Sequence, residues 1–415
     1  MERIRTQLLA AVASLAILAA AAFTPSARAD IVTDWNERAV AVLLAENLLG
    51  SGTGSARSFA MMHSAMSDAI NAVERRYALH GTAALDGSGA SALAAAHAAA
   101  RRVLLALYPK QQTQIDSAYD AALAGIAEGA AKSAGVAVGE KAAAAMQDER
   151  KADGFTSPSD YRPATAPGVY VPTTMPVVTN VARIKPFALQ SVSQFRPGPP
   201  PALASAVFAR DYNETRELGA AKSTQRTAWQ TETGQFWVLV GSYAWNEAAR
   251  GLVTAKPLAL ADSARLFAQL NFAIFDGYMA VFDAKYAHNF WRPITAIRNG
   301  DRAGNAAIER DALWTPLIDT PMHPEYPCSH CCIDGAAGAV LKSFFGGGPL
   351  PEFTLTYKAM PGVVRRYTSI QQLEDEVSMA RIWGGVHYRN SNEVGHALGK
   401  QVGEYVVQNQ LRTLR

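Results

Sequence analysis

Apolar residues recur at helical spacing along most of this 415-residue chain, and that pattern limits the possible folds more than any other feature. The stretch 257–283 is the clearest example of a buried helix. Its apolar stripe consists of Phe267, Leu270, Ile274, Tyr278 and Phe282. Strand signals are sparse, and only residues 169–178 indicate a short hairpin. The chain is therefore predicted to be all-α, with two helical-bundle halves.

Prolines separate these two halves. Between Pro158 and Pro201 the chain carries 10 of its 21 prolines. A helix cannot persist there, because each proline removes a backbone donor and restricts the residue before it. We predict an N-terminal helical region at 30–157, an ordered Pro-rich connection at 158–201, and a C-terminal helical region at 202–415.

The N-terminus has the pattern of a secretory signal peptide. Arg3 and Arg5 precede a 16-residue apolar run at 8–23, and a small-x-small cleavage site ends at Ala29. The run is shorter than the ~20 residues that span a bilayer. We therefore expect cleavage near Ala29 and a secreted or periplasmic protein, with no stable membrane span in the remainder.

Net charge gives no indication of a nucleic-acid partner. The formal charge of the whole chain is +3, and residues 1–29 hold three arginines and one glutamate. The expected mature chain therefore carries only +1, which is not the basic footprint of a nucleic-acid-binding protein. The sequence does not indicate the oligomeric state.

Candidate functional residues concentrate in three segments of the C-terminal region. Five of the eight histidines and all three cysteines lie between 288 and 396. The three segments read KYAHNFWRP at 285–293, HPEYPCSH at 323–330, and RIWGGVH at 381–387. Together they offer cations, histidines and a proline-marked helix start, which is a more specific pattern than any one of them alone.

A tetrahedral oxyanion is the ligand that suits these residue types. Lys285, Arg292 and Arg381 are cations, and the planar guanidinium groups match phosphate-like oxygens. A helix is expected to begin at about Cys328, and the first amides of a helix lack acceptors and bind anions. His330 follows immediately, where it can exchange protons with a bound group.

His387 is expected on a short loop between two helices. Gly384 and Gly385 would end the preceding helix. Asn390 with Glu393 three residues later has the spacing of a capping box, which predicts the start of the following helix. On such a loop, a ring nitrogen of His387 can face a pocket.

These motifs resemble the signature of the vanadium-dependent haloperoxidases and type-2 phosphatidic acid phosphatases, the PAP2 superfamily. The family pattern is K-x6-RP, then PSGH, then SR-x5-H, and the spacings at 285–293 and 381–387 match it. The surroundings are similar to the soluble bacterial haloperoxidase-like branch from about residue 32 to about residue 410, including Trp35-Asn36 and the FWRP run. The resemblance implies one compact helical domain of this type.

The resemblance also implies roles for individual residues. The backbone amide of Ser329 would donate to vanadate or phosphate, and His330 would be the general acid–base residue. His387 would be the apical vanadium ligand in a haloperoxidase or the nucleophile in a phosphatase. Cys328 stands where the family has a serine that contacts the oxyanion. The equatorial oxygens would be held by Lys285, Arg292 and Arg381.

Three functions follow as alternatives. The first is an exported haloperoxidase that uses vanadate as cofactor, and hydrogen peroxide and a halide as substrates. The second is an acid phosphatase that hydrolyses a phosphate ester through a phosphohistidine at His387. The third is an oxyanion-binding protein with weakened catalysis.

Departures from the family pattern lie close to the expected anion. Cys328 replaces the serine, and a thiol is a poorer donor than a hydroxyl. Ser329 replaces a glycine, which adds a Cβ where the backbone approaches the anion. Ala380 replaces the serine before Arg381, and no aspartate follows His387 closely.

The three cysteines crowd this site. Cys328 and Cys331 could close a disulfide in an oxidising compartment. A zinc site that includes His323, a redox CxxC pair, and a buried inert cluster with Cys332 are the other interpretations. A thioredoxin-like βαβ pattern does not surround the motif.

Overall fold

The computed structural model describes residues 30–81, 84–239 and 241–414. The predicted signal peptide at 1–29 lies outside these residues. Ile31–Arg415 forms one compact unit. No helix within the described ranges is both long and apolar enough to cross a bilayer.

The prediction of an all-α fold is confirmed. In the described part of the chain, thirteen α-helices accompany a single two-stranded sheet. The helices are α1 (Ile31–Ala45), α2 (Gly52–Glu74), α3 (Ala92–Leu107), α4 (Gln112–Ala124), α5 (Ala130–Arg150), α6 (Ala206–Leu218), α7 (Ala228–Phe236), α8 (Gly241–Ala255), α9 (Leu260–His288), α10 (Pro293–Arg298), α11 (Ser329–Phe345), α12 (Ile370–Trp383) and α13 (Arg389–Asn409). The strands are β1 (Phe353–Thr356) and β2 (Val364–Tyr367), which pair antiparallel with Phe353 opposite Tyr367.

Helix α9 is the central element of the core. Nearly all of its side chains from Ala261 to Lys285 are buried, as expected for a helix that is apolar on every face. It packs against α2 on one side and against α11 and α13 on the other. This arrangement buries the end of α9, where Lys285 lies, inside the protein.

Helices α11 and α13 approach one another closely through glycines. Gly395, Gly399 and Gly403 follow at steps of four residues along α13 and therefore share one face. A Cβ at Gly399 would lie 1.8 Å from the Cys332 carbonyl oxygen, and one at Gly395 would lie 2.5 Å from the Cys328 carbonyl oxygen. The contact fixes the first turn of α11 against α13.

The predicted hairpin at 169–178 is wrong. Val169 forms only an isolated bridge with Phe290, and the sheet consists of β1 and β2 instead. The prolines at 172 and 176 remove ladder donors from the predicted strands. The chain at 169–178 is irregular, and Met175 and Val177 are exposed.

The predicted capping box at Asn390 is also wrong. Helix α13 begins at Arg389, and Tyr388 is its N-cap. The amide of Asn390 donates to the Asp211 carboxylate at 2.8 Å. A carboxylate from α6 therefore satisfies a donor that the sequence pattern assigned to a local side chain.

The Pro-rich residues 158–201 contain one short 3-10 turn, Val181–Arg183. The buried carboxylate of Asp276 on α9 accepts hydrogen bonds from the amides of residues 187–189 at 2.7–2.8 Å. Arg196 pairs with Asp283, which lies seven residues, or about two turns, after Asp276 on α9, at 2.7 Å. These contacts attach the segment to the helix that carries Lys285.

Candidate oxyanion site

Lys285 lies in the last turn of α9 and is fully buried. Its Nζ donates to the carbonyl oxygens of Pro324 at 2.9 Å and Glu325 at 2.8 Å. Burial, with the nearby charge of Arg292, holds the pKa of Lys285 well below its ordinary value. Two of its three donors are thus used by the loop that precedes α11, and one remains for a ligand.

Arg292 is the N-cap residue of α10, immediately before Pro293, and its side chain is directed to other partners. Its Nε and Nη2 donate to the carbonyl and Nδ1 of His323, at 2.8 and 2.9 Å. Its Nη1 donates to the Val386 carbonyl at 2.8 Å and lies 3.2 Å from Nε2 of His387. Burial lowers the pKa of this guanidinium to about 10. Arg292 therefore joins all three predicted segments.

Arg381 lies in the last turn of α12, and only 2% of its surface is exposed. It donates to the Trp237 carbonyl at 2.6 Å, while its Nε has no partner within the described ranges. Helix α12 ends two residues later at Trp383, and Gly385 adopts a φ of 75°. The predicted helix break at Gly384-Gly385 is thus present and leads directly to His387.

His387 is held by a carboxylate from a distant segment. Its Nδ1 lies 2.8 Å from Oε1 of Glu325, and the same oxygen accepts the Tyr388 amide at 3.1 Å. Both side chains are at most 1% exposed. Because Glu325 accepts from Nδ1, the neutral ring keeps its lone pair on Nε2, which faces Arg292. Burial, with the charges around it, lowers the pKa of His387 well below its ordinary value.

Glu325 is a site residue that the sequence interpretation missed. That interpretation sought a carboxylate after His387 and found none. The carboxylate comes instead from the loop before α11, 62 residues earlier. Burial raises the pKa of Glu325 to about 7, against the opposing charges of Lys285 and Arg292. The only feature of the sequence that could have identified Glu325 as a site residue is its position in the HPEYP run.

The first turn of α11 carries the remaining predicted residues. Cys328 is the N-cap, and its Sγ accepts the Cys331 amide at 3.3 Å. Ser329 is the first helical residue, so its amide lacks an intrahelical acceptor. Its Oγ is also buried with no partner among the described residues. His330 is half-buried, and its Nε2 lies 3.2 Å from the Leu239 carbonyl oxygen.

All three cysteines are buried free thiols. Cys328 and Cys331 face each other, with 2.7 Å between their sulfur atoms. Cys332 points elsewhere, and its Sγ lies 3.4 Å from the Gly277 carbonyl oxygen. His323, the third residue of the alternative zinc interpretation, accepts from Arg292 instead.

Positive charge without a direct ion pair is the main electrostatic feature of this cluster. Lys285, Arg292 and Arg381 are each at most 2% exposed. Within residues 30–81, 84–239 and 241–414, none of them has a carboxylate within 4.0 Å. The carboxylate that borders the cluster, Glu325, is hydrogen-bonded to His387. A buried charge without a partner is strongly unfavourable, so the cluster is suited to an anion with several oxygens.

Comparison with known proteins places these residues in a matched region. Residues 265–415 match the family model described as VCPO second helical-bundle domain. This region contains all three cations, both histidines and the three cysteines of the site.

Two curated relatives share part of the sequence. Vanadium chloroperoxidase from Curvularia inaequalis is 25% identical over 269 residues, which cover 49% of this chain and 44% of the relative. Vanadium-dependent bromoperoxidase from Corallina pilulifera is 27% identical over 103 residues, which cover 23% of this chain and 17% of the relative. The matched region thus spans less than half the length of either relative.

Solved structures share the fold over most of the chain. A crystal structure of a bacterial vanadium-dependent iodoperoxidase superposes with a TM-score of 0.79 at 24% identity, covering 92% of this chain and 96% of that one. An apo-type bacterial vanadium-dependent chloroperoxidase superposes with a TM-score of 0.71 at 17% identity, covering 87% and 94%.

Proposed function

We propose that this chain is a member of the vanadium haloperoxidase/PAP2-like superfamily, to which its matches point, and that it is a vanadate-dependent haloperoxidase that oxidises a halide with hydrogen peroxide. One observation carries the proposal. Lys285, Arg292 and Arg381 are buried with no carboxylate within ion-pair distance in the described ranges, and Nε2 of His387 faces one of them, Arg292.

The donor set fits vanadate. Arg381 has most of its donors open, and Lys285 and Arg292 each keep one, so together they can hold the oxygens of a tetrahedral anion. The Ser329 amide offers one more donor. Nε2 of His387 would ligate the metal, because Glu325 keeps the ring proton on Nδ1 and the lone pair on Nε2, where it now accepts from Arg292. When bound, vanadate supplies a Lewis-acidic centre that activates hydrogen peroxide toward a halide.

The protein's own side chains contribute orientation and charge. Glu325 fixes the His387 tautomer through the bond to Nδ1. The three cations stabilise the negative charge that is concentrated on a bound oxyanion. His330 would take a proton from the incoming peroxide, since burial, with the charge of Arg381, lowers its pKa well below the ordinary value and keeps the ring neutral.

Acid phosphatase is the second candidate, and Cys328 is the observation that favours it. The thiol replaces a stronger hydroxyl donor, and three free thiols lie in a site that would handle peroxide. In this reaction His387 would attack phosphorus through the same Nε2. The cations would hold the phosphate oxygens.

One set of assays distinguishes the candidates. The purified protein is loaded with orthovanadate and assayed for iodide, bromide and chloride oxidation with peroxide. The vanadate-free protein is assayed for hydrolysis of an aryl phosphate. We expect halide oxidation that His387→Ala abolishes. Phosphatase activity alone supports the second candidate, and anion binding without either activity indicates a weakened binding protein.

Export remains part of the proposal. It is supported by the charged start, the apolar run and the Ala27-Arg28-Ala29 site of the sequence. N-terminal sequencing of the protein recovered outside the cytoplasm tests it. We expect a start at Asp30.

A further inference from the structure

We propose that Cys328 and Cys331 are a peroxide-reactive pair whose disulfide protects the oxyanion site from irreversible oxidation. The inference rests on the proposed function in one respect: a haloperoxidase uses hydrogen peroxide, so peroxide would reach these thiols. The thiol chemistry itself depends neither on vanadate nor on halide turnover.

The geometry of the α11 N-terminus brings the two thiols together. Cys328 is the N-cap with extended backbone angles, φ −65° and ψ 125°, so its side chain folds back over the first turn. Cys331 occupies the N3 position, which faces the N-cap side chain in a capping arrangement. The sulfur atoms lie 2.7 Å apart, close to the bond length of about 2.05 Å.

Cys328 is the thiol that peroxide would attack first. Burial opposes its ionisation, but hydrogen bonds from Cys331 and the charge of Arg381 together lower its pKa. Burial and the proximity of Cys328 raise the pKa of Cys331 well above its ordinary value. A thiol at a helix N-terminus beside a cation is the reactive type, and its partner then acts as the resolving thiol.

The reaction balances in two steps. The Cys328 thiol reacts with one hydrogen peroxide to form a sulfenic acid and one water, so sulfur is oxidised and the O–O bond breaks. The Cys331 sulfur then attacks the sulfenic sulfur, forms the S–S bond and releases a second water. Without Cys331, a second peroxide would convert the sulfenic acid to a sulfinic acid, again releasing water.

The sulfinic acid is the product that would harm the site. It would place a permanent negative charge beside Arg381 and compete with an oxyanion for the same cations. The disulfide is neutral and reversible. Cys332 cannot replace Cys331, because its sulfur lies against the Gly277 carbonyl on another side of α11.

Mass spectrometry tests the pairing on the full-length protein. Wild type, Cys331→Ala and the matched control Cys332→Ala are reduced, freed of reductant and treated with peroxide in the absence of vanadate and halide. We expect wild type and Cys332→Ala to lose about 2 Da through a Cys328–Cys331 bond that dithiothreitol reverses. We expect Cys331→Ala to gain about 32 Da at Cys328, and reductant should not reverse this gain.

Vanadate binding provides the second readout. After peroxide and then reductant, wild type should recover its affinity, whereas Cys331→Ala should remain weakened about tenfold or more. Thermal unfolding before oxidation establishes that each variant is folded. No Cys328–Cys331 bond in wild type, or equal overoxidation of Cys328 in wild type and Cys331→Ala, would overturn the proposal. Disulfide formation without halide oxidation would overturn only the proposed function.

Discussion

Replacing Arg381 with methionine should separate anion binding from folding. The guanidinium is 2% exposed and donates to one carbonyl, that of Trp237. Replacing buried ion pairs by apolar side chains of similar volume is neutral or stabilises proteins by about 1–4 kcal/mol, and we expect removal of the unpaired Arg381 charge to have an effect in the same direction. Leaving one carbonyl without its donor costs about 1–3 kcal/mol. These terms largely cancel, so Arg381→Met should change the free energy of unfolding of the anion-free protein by about 2 kcal/mol or less.

Anion affinity should respond very differently. Two charge-assisted hydrogen bonds from the Arg381 guanidinium to an oxyanion contribute about 1.5–3 kcal/mol each. Their loss corresponds to a decrease of about 10²- to 10⁴-fold in affinity for orthovanadate. Isothermal calorimetry measures that affinity, and urea unfolding without the anion measures the free energy of unfolding.

Arg365 provides the matched control. It is also buried, but it pairs with Glu232 at 2.8 Å and lies 3.8 Å from Glu376. Arg365→Met should therefore destabilise the fold by about 2 kcal/mol or more and leave vanadate affinity unchanged. If Arg381→Met behaved like Arg365→Met, with a lower unfolding free energy and unchanged affinity, the interpretation of Arg381 as an anion ligand would be refuted.

Three further changes test separate parts of the structure. Gly399→Ala places a Cβ 1.8 Å from a carbonyl oxygen of α11 and should cost about 3 kcal/mol or more in urea unfolding, whereas Gly347→Ala, which meets open space, should change little. Burial lowers the pKa of folded His63 to about 3 from 6.5. As the pH falls from about 6.5 to about 3, His63 therefore binds a proton in the unfolded chain but stays neutral in the folded one. Wild-type stability should then fall by up to about 1.4 kcal/mol per pH unit more steeply than that of His63→Asn, as measured by urea unfolding at each pH. Glu325→Ala leaves Nδ1 of His387 without its acceptor and should lower halide oxidation about 10²- to 10⁴-fold in steady-state assays, with partial recovery in Glu325→Gln.

The sequence was sufficient to identify the three cations of the candidate site. Lys285, Arg292 and Arg381 lie on three separate helix ends, and each was identifiable by its spacing to a proline or a histidine. The helix break at Gly384-Gly385 was visible for the same reason, because glycine pairs act locally. These features depend on residues that are close in the sequence, so their spacing can be read from the sequence alone.

Contacts between distant segments could not be predicted in this way. The carboxylate that orients His387 comes from Glu325, and the amide acceptor at the start of α13 comes from Asp211. The sequence shows no aspartate close after His387, and its local pattern suggested a capping box at Asn390 instead. Packing of α6, α11 and α13 supplies both carboxylates, and no spacing rule within one segment describes that packing.

We propose that this buried cation cluster is an oxyanion site with His387 as its metal ligand. A crystal structure of the protein grown with orthovanadate tests it most directly. We expect one vanadium per chain at bonding distance from Nε2 of His387, with its oxygens contacting Lys285, Arg292 and Arg381. An empty cluster in crystals at saturating vanadate would contradict the account, as would vanadium bound to another residue in place of His387.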